Sequence, residues 1–257
     1  MTRERRLVFG EVADVYDRVR PSYPDALIDV VIDAGNVAPG DRLLEIGAGT
    51  GKATRAFLAR GLAVTAIEPD PAMAAVARRN CPDATVVESA FEDAGIDEGA
   101  FAVVAAAQAW HWVQPDVGPG KAADALRAGG VIALFWNWSL PHPLFDAIQQ
   151  VYECETPALA LGTAAQPSLV RSEAVTSACD QLSSSGRFAS PAQETFEWVR
   201  QFDTATYLEL LTTHSDHRML PPADLDRLLD GIAEVIDGAG GSLDLPHCST
   251  LVRAARL

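Results

Sequence analysis

"LLEIGAGTGKAT", residues 43–54, sets an apolar segment, Leu43 to Ile46, directly against a turn holding Gly47, Gly49 and Gly51. The continuation "KATRAFLARG" places Ala53, Phe57 and Leu58 on one helical face and closes at Gly61. A strand that runs through a glycine turn into a helix brings unpaired helix N–H groups to the strand's carboxyl end, and glycine lets a ligand approach the backbone there. An isolated G-x-G is equally well explained as a tight strand-to-helix connection, so the flanking residues must decide.

Two carboxylates flank the turn. Glu45 stands two residues before Gly47, and Glu68 ends the following strand, "LAVTAIEPD". An acid roughly twenty residues past the turn is placed to accept hydrogen bonds from ribose hydroxyls. A dinucleotide fingerprint requires G-x-G-x-x-G, but Lys52 occupies the third glycine's place. A carboxylate beside the turn repels a pyrophosphate and suits an ammonium group. S-adenosylmethionine carries an ammonium and no phosphate, so charge and glycine spacing favour it over NAD.

Outward from this unit, strands and helices alternate. A helix is expected from Val8 to Val19, stopping at Pro21, and a second from about Pro24 to Gly35. After the second strand comes a helix at "PAMAAVARRN" with Pro71 in its first turn, where proline is tolerated. "ATVVESA", "FAVVAAAQA" and "VIALFWNW" read as the third to fifth strands, with a helix ending at Gly129 before the last of them. Such alternation predicts a parallel sheet with right-handed crossovers. Beyond Trp138 the pattern becomes helical and weakly periodic, with "TFEWVRQF" as a short strand and "SLDL" and "STLVRAARL" as a final pair of short strands.

Four segments, "LLEIGAGTGKAT", "AIEPDPAM", "VVESAFED" and "ALRAGGVIALFWN", resemble the ordered motifs of class I S-adenosylmethionine-dependent methyltransferases. The nearest subgroup is that of the trans-aconitate methyltransferase-like and related small-molecule enzymes, which "FGEVADVYDRVRPSYP" and "AQAWHW" also resemble. The resemblance implies an α/β, doubly wound, Rossmann-like fold: a seven-stranded, mostly parallel sheet with a C-terminal β-hairpin and a helical cap insertion. The expected single domain has N-terminal helices over the cofactor site (1–35), a cofactor core (36–137), a cap (138–240) and terminal hairpin strands (241–257).

The resemblance also implies roles. Gly47, Ala48 and Gly49 would lie against the methionine part of the cofactor, Glu45 near its amino group, and Glu68 on the ribose diol. Pro69 and Met73 would pack on adenine, although helix packing explains Met73 as well. Relatives commonly carry an acid followed by a small residue after the third strand. Here the run is Ser89, Ala90 and Phe91, and the missing acid puts the Ser89 contact in question.

"AQAWHW", residues 107–112, follows the fourth strand, at the sheet edge where open parallel sheets bind ligands. Gln108 and Ala109 are expected to hold the cofactor, and the indoles of Trp110 and Trp112 to wall an acceptor pocket. His111 is the candidate base for an acceptor proton; the plain alternative is that it packs and satisfies a backbone carbonyl. Trp136, Asn137 and Trp138 end the fifth strand on the same edge, and Tyr16, Arg20 and Tyr23 come from the N-terminal segment. Arg20 can pair an acidic acceptor or the cofactor carboxylate, or serve as a solvated helix-end cation. His214 and His217 invite a metal reading, but H-x-x-H without clustered cysteines falls short of a ligand set, and no metal is expected. His142 and His247 carry no usable signal.

The 257 residues are 48% hydrophobic and 21% charged, with a net charge of −15. An acidic surface repels nucleic-acid phosphates and anionic lipid heads, so neither is an expected partner. The four cysteines are scattered, and no leader-like or bilayer-length apolar run is present, which predicts a cytoplasmic protein with free thiols. The function read from these features is methyl transfer to an oxygen, sulfur or nitrogen of a small molecule. An NAD-dependent oxidoreductase, a cofactor-binding protein without methyl transfer and another reaction on the same cofactor stay open, because fold does not dictate function.

Overall fold

The computed structural model describes residues 12–160 and 167–257, with backbone alone over 167–172. The first part of the helix expected from Val8 lies outside the described residues, and its described part is α1, Ala13–Val19. There follow α2 (Asp25–Ala34), β1 (Arg42–Ile46), α3 (Lys52–Leu58), β2 (Ala63–Glu68), α4 (Pro71–Asn80), β3 (Thr85–Glu88) and β4 (Phe101–Ala107). After a 3₁₀ turn at Trp110–Trp112 come α5 (Gly118–Ala125), β5 (Leu126–Ser139), α6 (Phe145–Glu155), α7 (Pro157–Ala160) and α8 (Pro167–Ser184). The chain ends with β6 (Ala192–Asp203), α9 (Thr204–Thr212), a second 3₁₀ turn at His217–Met219, α10 (Pro222–Gly238) and β7 (Ser242–Ala255).

The seven strands pair in the order β3-β2-β1-β4-β5-β7-β6. The first five pair in parallel, and β7 runs antiparallel between β5 and β6. Alternation along the buried strands sends residues to both faces. On β4, Val103 and Ala105 join a cluster with Leu27, Ile28 and Phe57 of α2 and α3. Val104 and Ala106 join the opposite cluster, which contains Ala122 of α5 and Val175, Ala178 and Leu182 of α8. The sheet is thus covered on both faces, as a parallel sheet requires. A third apolar cluster unites Val19, Ile148, Tyr152, Leu210, Leu228 and Ile232 with Phe202 and Leu245 of the sheet, and so ties α1, α6, α9 and α10 together.

Three boundaries depart from the sequence reading. Gly129 does not end a helix: α5 stops at Ala125, and Gly129, at φ +72°, lies inside β5 where its register with β4 shifts between Phe101 and Val103. Leu126, fully buried opposite Phe101, draws the chain into the sheet early. The C-terminal antiparallel pair is present, but residues 242–255 form one strand rather than two short ones, and its partner is the long β6. The segment 138–240 is also more than a cap, since it supplies β6 to the sheet and α8 to its face. Among the described residues, no helix is long and apolar enough to cross a membrane.

Candidate cofactor and acceptor cleft

Strand order reverses between β1 and β4, and the crevice outside the carboxyl ends of strands at such a point is where open α/β sheets bind ligands. A cleft of about 520 Å³ opens there, within the size range of small-molecule sites. Its floor is the glycine turn. The N–H groups of Gly47 and Ala48 donate to the Ile67 carbonyl at 2.8 and 3.0 Å, which ties the turn to β2. Gly47 sits at φ +67°, and a Cβ there would lie 2.5 Å from that of Ala109. Gly51, at φ +85°, would bring a Cβ within 2.6 Å of Cys81 Sγ.

Both acids face this floor. Glu68 accepts the Gly49 N–H at 2.7 Å on one oxygen and the Asp70 N–H at 2.9 Å on the other. Burial raises its pKa to about 7 against the lowering effect of those two amides. Glu45 is 1% exposed and receives the Thr54 hydroxyl at 2.5 Å, while its Oε1 is buried with no partner among the described residues. Burial raises its pKa to about 8, Thr54 opposes this, and the Glu68 charge adds to it. An orphaned carboxylate oxygen at the base of an open cleft is a costly arrangement that a cationic ligand group relieves.

Pro69, Met73, Ala90 and Phe91 line the neighbouring wall. Met73 lines the cleft and also packs against Ala13 of α1. Ser89 does not line the cleft: its hydroxyl turns back to the Ala90 carbonyl at 2.9 Å.

The stretch after β4 divides its work. Gln108 adopts a left-handed φ of +57°, which is uncommon for a residue with a side chain and often marks a functional bend. Its N–H donates to the Phe135 carbonyl at 2.8 Å and its amide to the Asn137 carbonyl at 3.0 Å, so Gln108 bridges the ends of β4 and β5 in the cleft wall. Ala109 lines the cleft behind it. The 3₁₀ turn then sends consecutive side chains in different directions. Trp110 is 2% exposed and sits in the core with its Nε1 donating to Gln181 at 2.9 Å. His111, exposed on its outer side, and Trp112 both line the cleft. Trp136 is buried in the same core cluster, and Trp138 packs against it. Of the expected indole wall, Trp112 lines the cleft; the 3₁₀ turn sends Trp110 into the core, and the β-strand sends Trp136 and Trp138 to the face opposite Asn137. Asn137 does line the cleft, donating to the Ser22 carbonyl at 2.9 Å and accepting from Ser249 at 2.6 Å.

Tyr16, Arg20 and Tyr23 roof the cleft from the N-terminal segment. Arg20 donates to the Thr213 hydroxyl at 2.8 Å and the Thr213 carbonyl at 3.1 Å, so it joins the roof to the cap rather than standing in solvent. The apolar "YLELL" stretch of the cap, which by composition suggests a pocket, delivers Tyr207, Leu210 and Leu211 to the cleft. Sequence reasoning missed the other residues that complete the enclosure: Thr50 and Lys52 on the turn, His214 and Asp216 from the cap, and Leu245 and His247 from β7. The histidines became meaningful only through their neighbours. His214, Asp216 and His217 bring possible metal-ligating atoms within 4.8 Å of one another. His217, however, contacts the Tyr152 hydroxyl at 2.7 Å through Nε2 and Asp216 at 2.8 Å through Nδ1, so both of its ring nitrogens are already engaged.

This sheet order, with an acid closing β2 over a glycine turn, defines the Rossmann-like fold of class I methyltransferases. Residues 44–134 match the family model described as a methyltransferase domain. An uncharacterized methyltransferase of Mycobacterium tuberculosis is 39% identical over 135 residues, 52% of this chain and 54% of that protein. The demethylmenaquinone methyltransferase of Tropheryma whipplei is 35% identical over 89 residues, 31% of this chain and 35% of the other. The chain thus spans about half the length or less of these curated relatives. A solved structure from Anaeromyxobacter dehalogenans, assigned as a type II methyltransferase, superposes with a TM-score of 0.58 at 26% identity, over 92% of this chain and 96% of that one. The Haemonchus contortus phosphoethanolamine N-methyltransferase 2, solved with S-adenosyl-L-methionine, superposes at 0.54 and 16% identity, over 96% of this chain and 57% of the other.

Proposed function

We propose that the protein is a methyltransferase that uses S-adenosylmethionine, releases S-adenosylhomocysteine and methylates a small molecule. The observation that carries this reading is Glu45, a residue of the cleft lining next to the Gly47 turn, whose buried Oε1 has no partner among the described residues. That oxygen suits the methionine ammonium and would repel a pyrophosphate, which disfavours a dinucleotide. Glu68 would hold the ribose diol with lone pairs not used by the Gly49 and Asp70 amides, since a carboxylate can accept about four hydrogen bonds. Met73 and Phe91 would sandwich the adenine, and Gln108 and Ala109 would shape the wall behind the methionine chain.

When bound, the cofactor supplies a methyl group activated by a sulfonium. The protein's own task is then to bring an acceptor into line and exclude water, and alignment alone accounts for a large rate gain. The roof from α1 and the cap from α9 enclose the acceptor end, and His111 with Trp112 closes the rim. The enclosure and the acidic net charge of −15 support a small-molecule acceptor rather than a nucleic acid or a membrane surface. The absence of a bilayer-length apolar helix among the described residues is compatible with a cytoplasmic location.

Calorimetric titration with S-adenosylmethionine, S-adenosylhomocysteine and NAD tests the reading. Micromolar binding of the two sulfur nucleosides and none of NAD is expected. Binding of NAD alone would overturn it in favour of an oxidoreductase, and cofactor binding with no transfer to any acceptor would favour a binding protein.

A further inference from the structure

β7 runs antiparallel to β5, so its early residues lie beside the carboxyl end of β5, with His247 opposite Ser139. That register delivers His247 to the cleft, which it lines although only 3% of its surface is exposed. Nδ1 lies 2.9 Å from the Leu245 carbonyl oxygen, which can only accept, so Nδ1 carries the proton and Nε2 carries the lone pair. Among the described residues Nε2 has no hydrogen-bond partner, and His247 belongs to the cleft lining. The ring is stacked on Trp198, with centroids 4.4 Å apart and planes 18° from parallel. Trp198 is itself fixed by donation from Nε1 to Ser249 Oγ at 2.9 Å, and Ser249 donates to Asn137 at 2.6 Å. The imidazole is therefore held in both tautomer and orientation, as a general base must be. Burial lowers its pKa, the Leu245 carbonyl opposes this, and the Arg200 charge lowers it further, which favours the neutral ring. His111 also lines the cleft and burial lowers its pKa as well, but its ring packs at 4.9 Å against Trp112 with no hydrogen bond to orient it among the described residues.

We propose that His247 is the proton acceptor for a methyl acceptor whose nucleophile is a hydroxyl, so that the substrate is an alcohol or phenol with an apolar body. This rests on the methyltransferase reading above. A carboxylate or thiolate arrives already anionic and has no use for an oriented base, whereas a neutral hydroxyl is a poor nucleophile until its proton leaves. Tyr207, Leu210, Leu211 and Leu245 supply an apolar lining for the body. In the step, the acceptor oxygen forms a bond to the methyl carbon as the carbon–sulfur bond breaks with its electron pair going to sulfur. The hydroxyl proton passes to Nε2. The resulting imidazolium keeps its Nδ1–H on the Leu245 carbonyl and later returns the extra proton to solvent, leaving an ether and a neutral thioether.

The test pairs turnover with a readout independent of it. Wild type and His247→Gln are assayed for S-adenosylhomocysteine release with phenol, benzyl alcohol, thiophenol and benzoate, and S-adenosylmethionine binding is measured on both. Turnover of a hydroxyl acceptor, a hundredfold or greater loss of kcat in the variant and a cofactor Kd within threefold of wild type are expected. Retained kcat in the variant, or turnover of thiophenol or benzoate alone, overturns the proposal and leaves the methyltransferase reading standing. Cofactor binding without turnover of any of the four also overturns it, whereas failure to bind S-adenosylmethionine defeats the underlying reading instead. Should His247→Gln not fold, the imidazole nitrogens of ¹⁵N-labelled wild type decide: protonated Nδ1 with bare Nε2 is expected at pH 7.5, and the opposite tautomer overturns the assignment.

Discussion

The Thr50 hydroxyl of the glycine turn donates to the Asp17 carboxylate of α1 at 2.8 Å, which pins the roof of the cleft to its floor. Arg55 adds a contact to the same carboxylate at 3.0 Å, and Lys52 Nζ donates to the Asp17 carbonyl at 2.6 Å. Burial pushes the Asp17 pKa up, but Arg55, Thr50 and Lys52 together hold it below the usual carboxylate value. Asp17→Ala removes the pin. A charge-assisted network of this kind is worth about 1.5 kcal/mol, so cofactor affinity should fall roughly tenfold with a lowered Tm. An unchanged Kd by calorimetry would show that α1 seats itself without Asp17.

Glu68→Ala removes the acceptor of the Gly49 and Asp70 amides and the expected partner of the ribose diol. Cofactor affinity should drop roughly 10- to 100-fold, from about 1.5–3 kcal/mol of lost charged hydrogen bonding. Equal affinity for wild type and variant would remove Glu68 from the site.

Glu45, with a pKa of about 8, and Glu68, at about 7, are both raised by burial above the value of 4.5 expected in the unfolded chain. Between those values the folded protein binds more protons than the unfolded one, so stability is fully present below about pH 4.5 and is lost as pH rises through 7 and 8. The ligand-free protein should therefore lose on the order of a few kcal/mol between pH 5 and 9, and Glu45→Gln should flatten much of that slope. Denaturant titrations across this range provide the check, and stability that rises towards pH 9 in wild type would refute it.

Cofactor binding should release protons near pH 7. An ammonium placed against Glu45 favours its ionised form and lowers the pKa from about 8. The observed binding enthalpy should then vary with the ionisation enthalpy of the buffer, and affinity should rise with pH up to about 8. Enthalpies identical in phosphate and Tris would sink this assignment.

Trp110→Ala should destabilise the fold without touching the site. The indole is 2% exposed, donates to Gln181 at 2.9 Å and approaches Gly118, where a Cβ would lie 3.2 Å from its ring. Truncating a buried aromatic costs about 3–5 kcal/mol. Chemical denaturation should register that loss, while the folded protein keeps the wild-type cofactor Kd. A large rise in Kd at unchanged stability would return Trp110 to the pocket.

The sequence by itself determined the α/β class, the strand–turn–helix at residues 43–54 and the two acids beside it. These are local matters: periodicity, glycine spacing and the sign of charge survive in a linear string. Where the chain must enter a sheet, local signals weakened. Gly129 resembles a helix end but sits in a bulge, because burial of Leu126 outweighs the glycine's preference. The 3₁₀ turn settled the adjacent side chains of "AWHW" one by one, sending Trp110 to the core and Trp112 to the cleft. Tertiary structure alone decided the acceptor end. Ser249 and Asn137 lie more than a hundred residues apart and bond only because β7 pairs antiparallel with β5, the same pairing that brings His247 to the cleft. Hydrogen bonds, burial and stacking then give each histidine its own character. Among the described residues His217 is spent on Tyr152 and Asp216, whereas His247 engages only Nδ1, a distinction that no spacing in the sequence encodes.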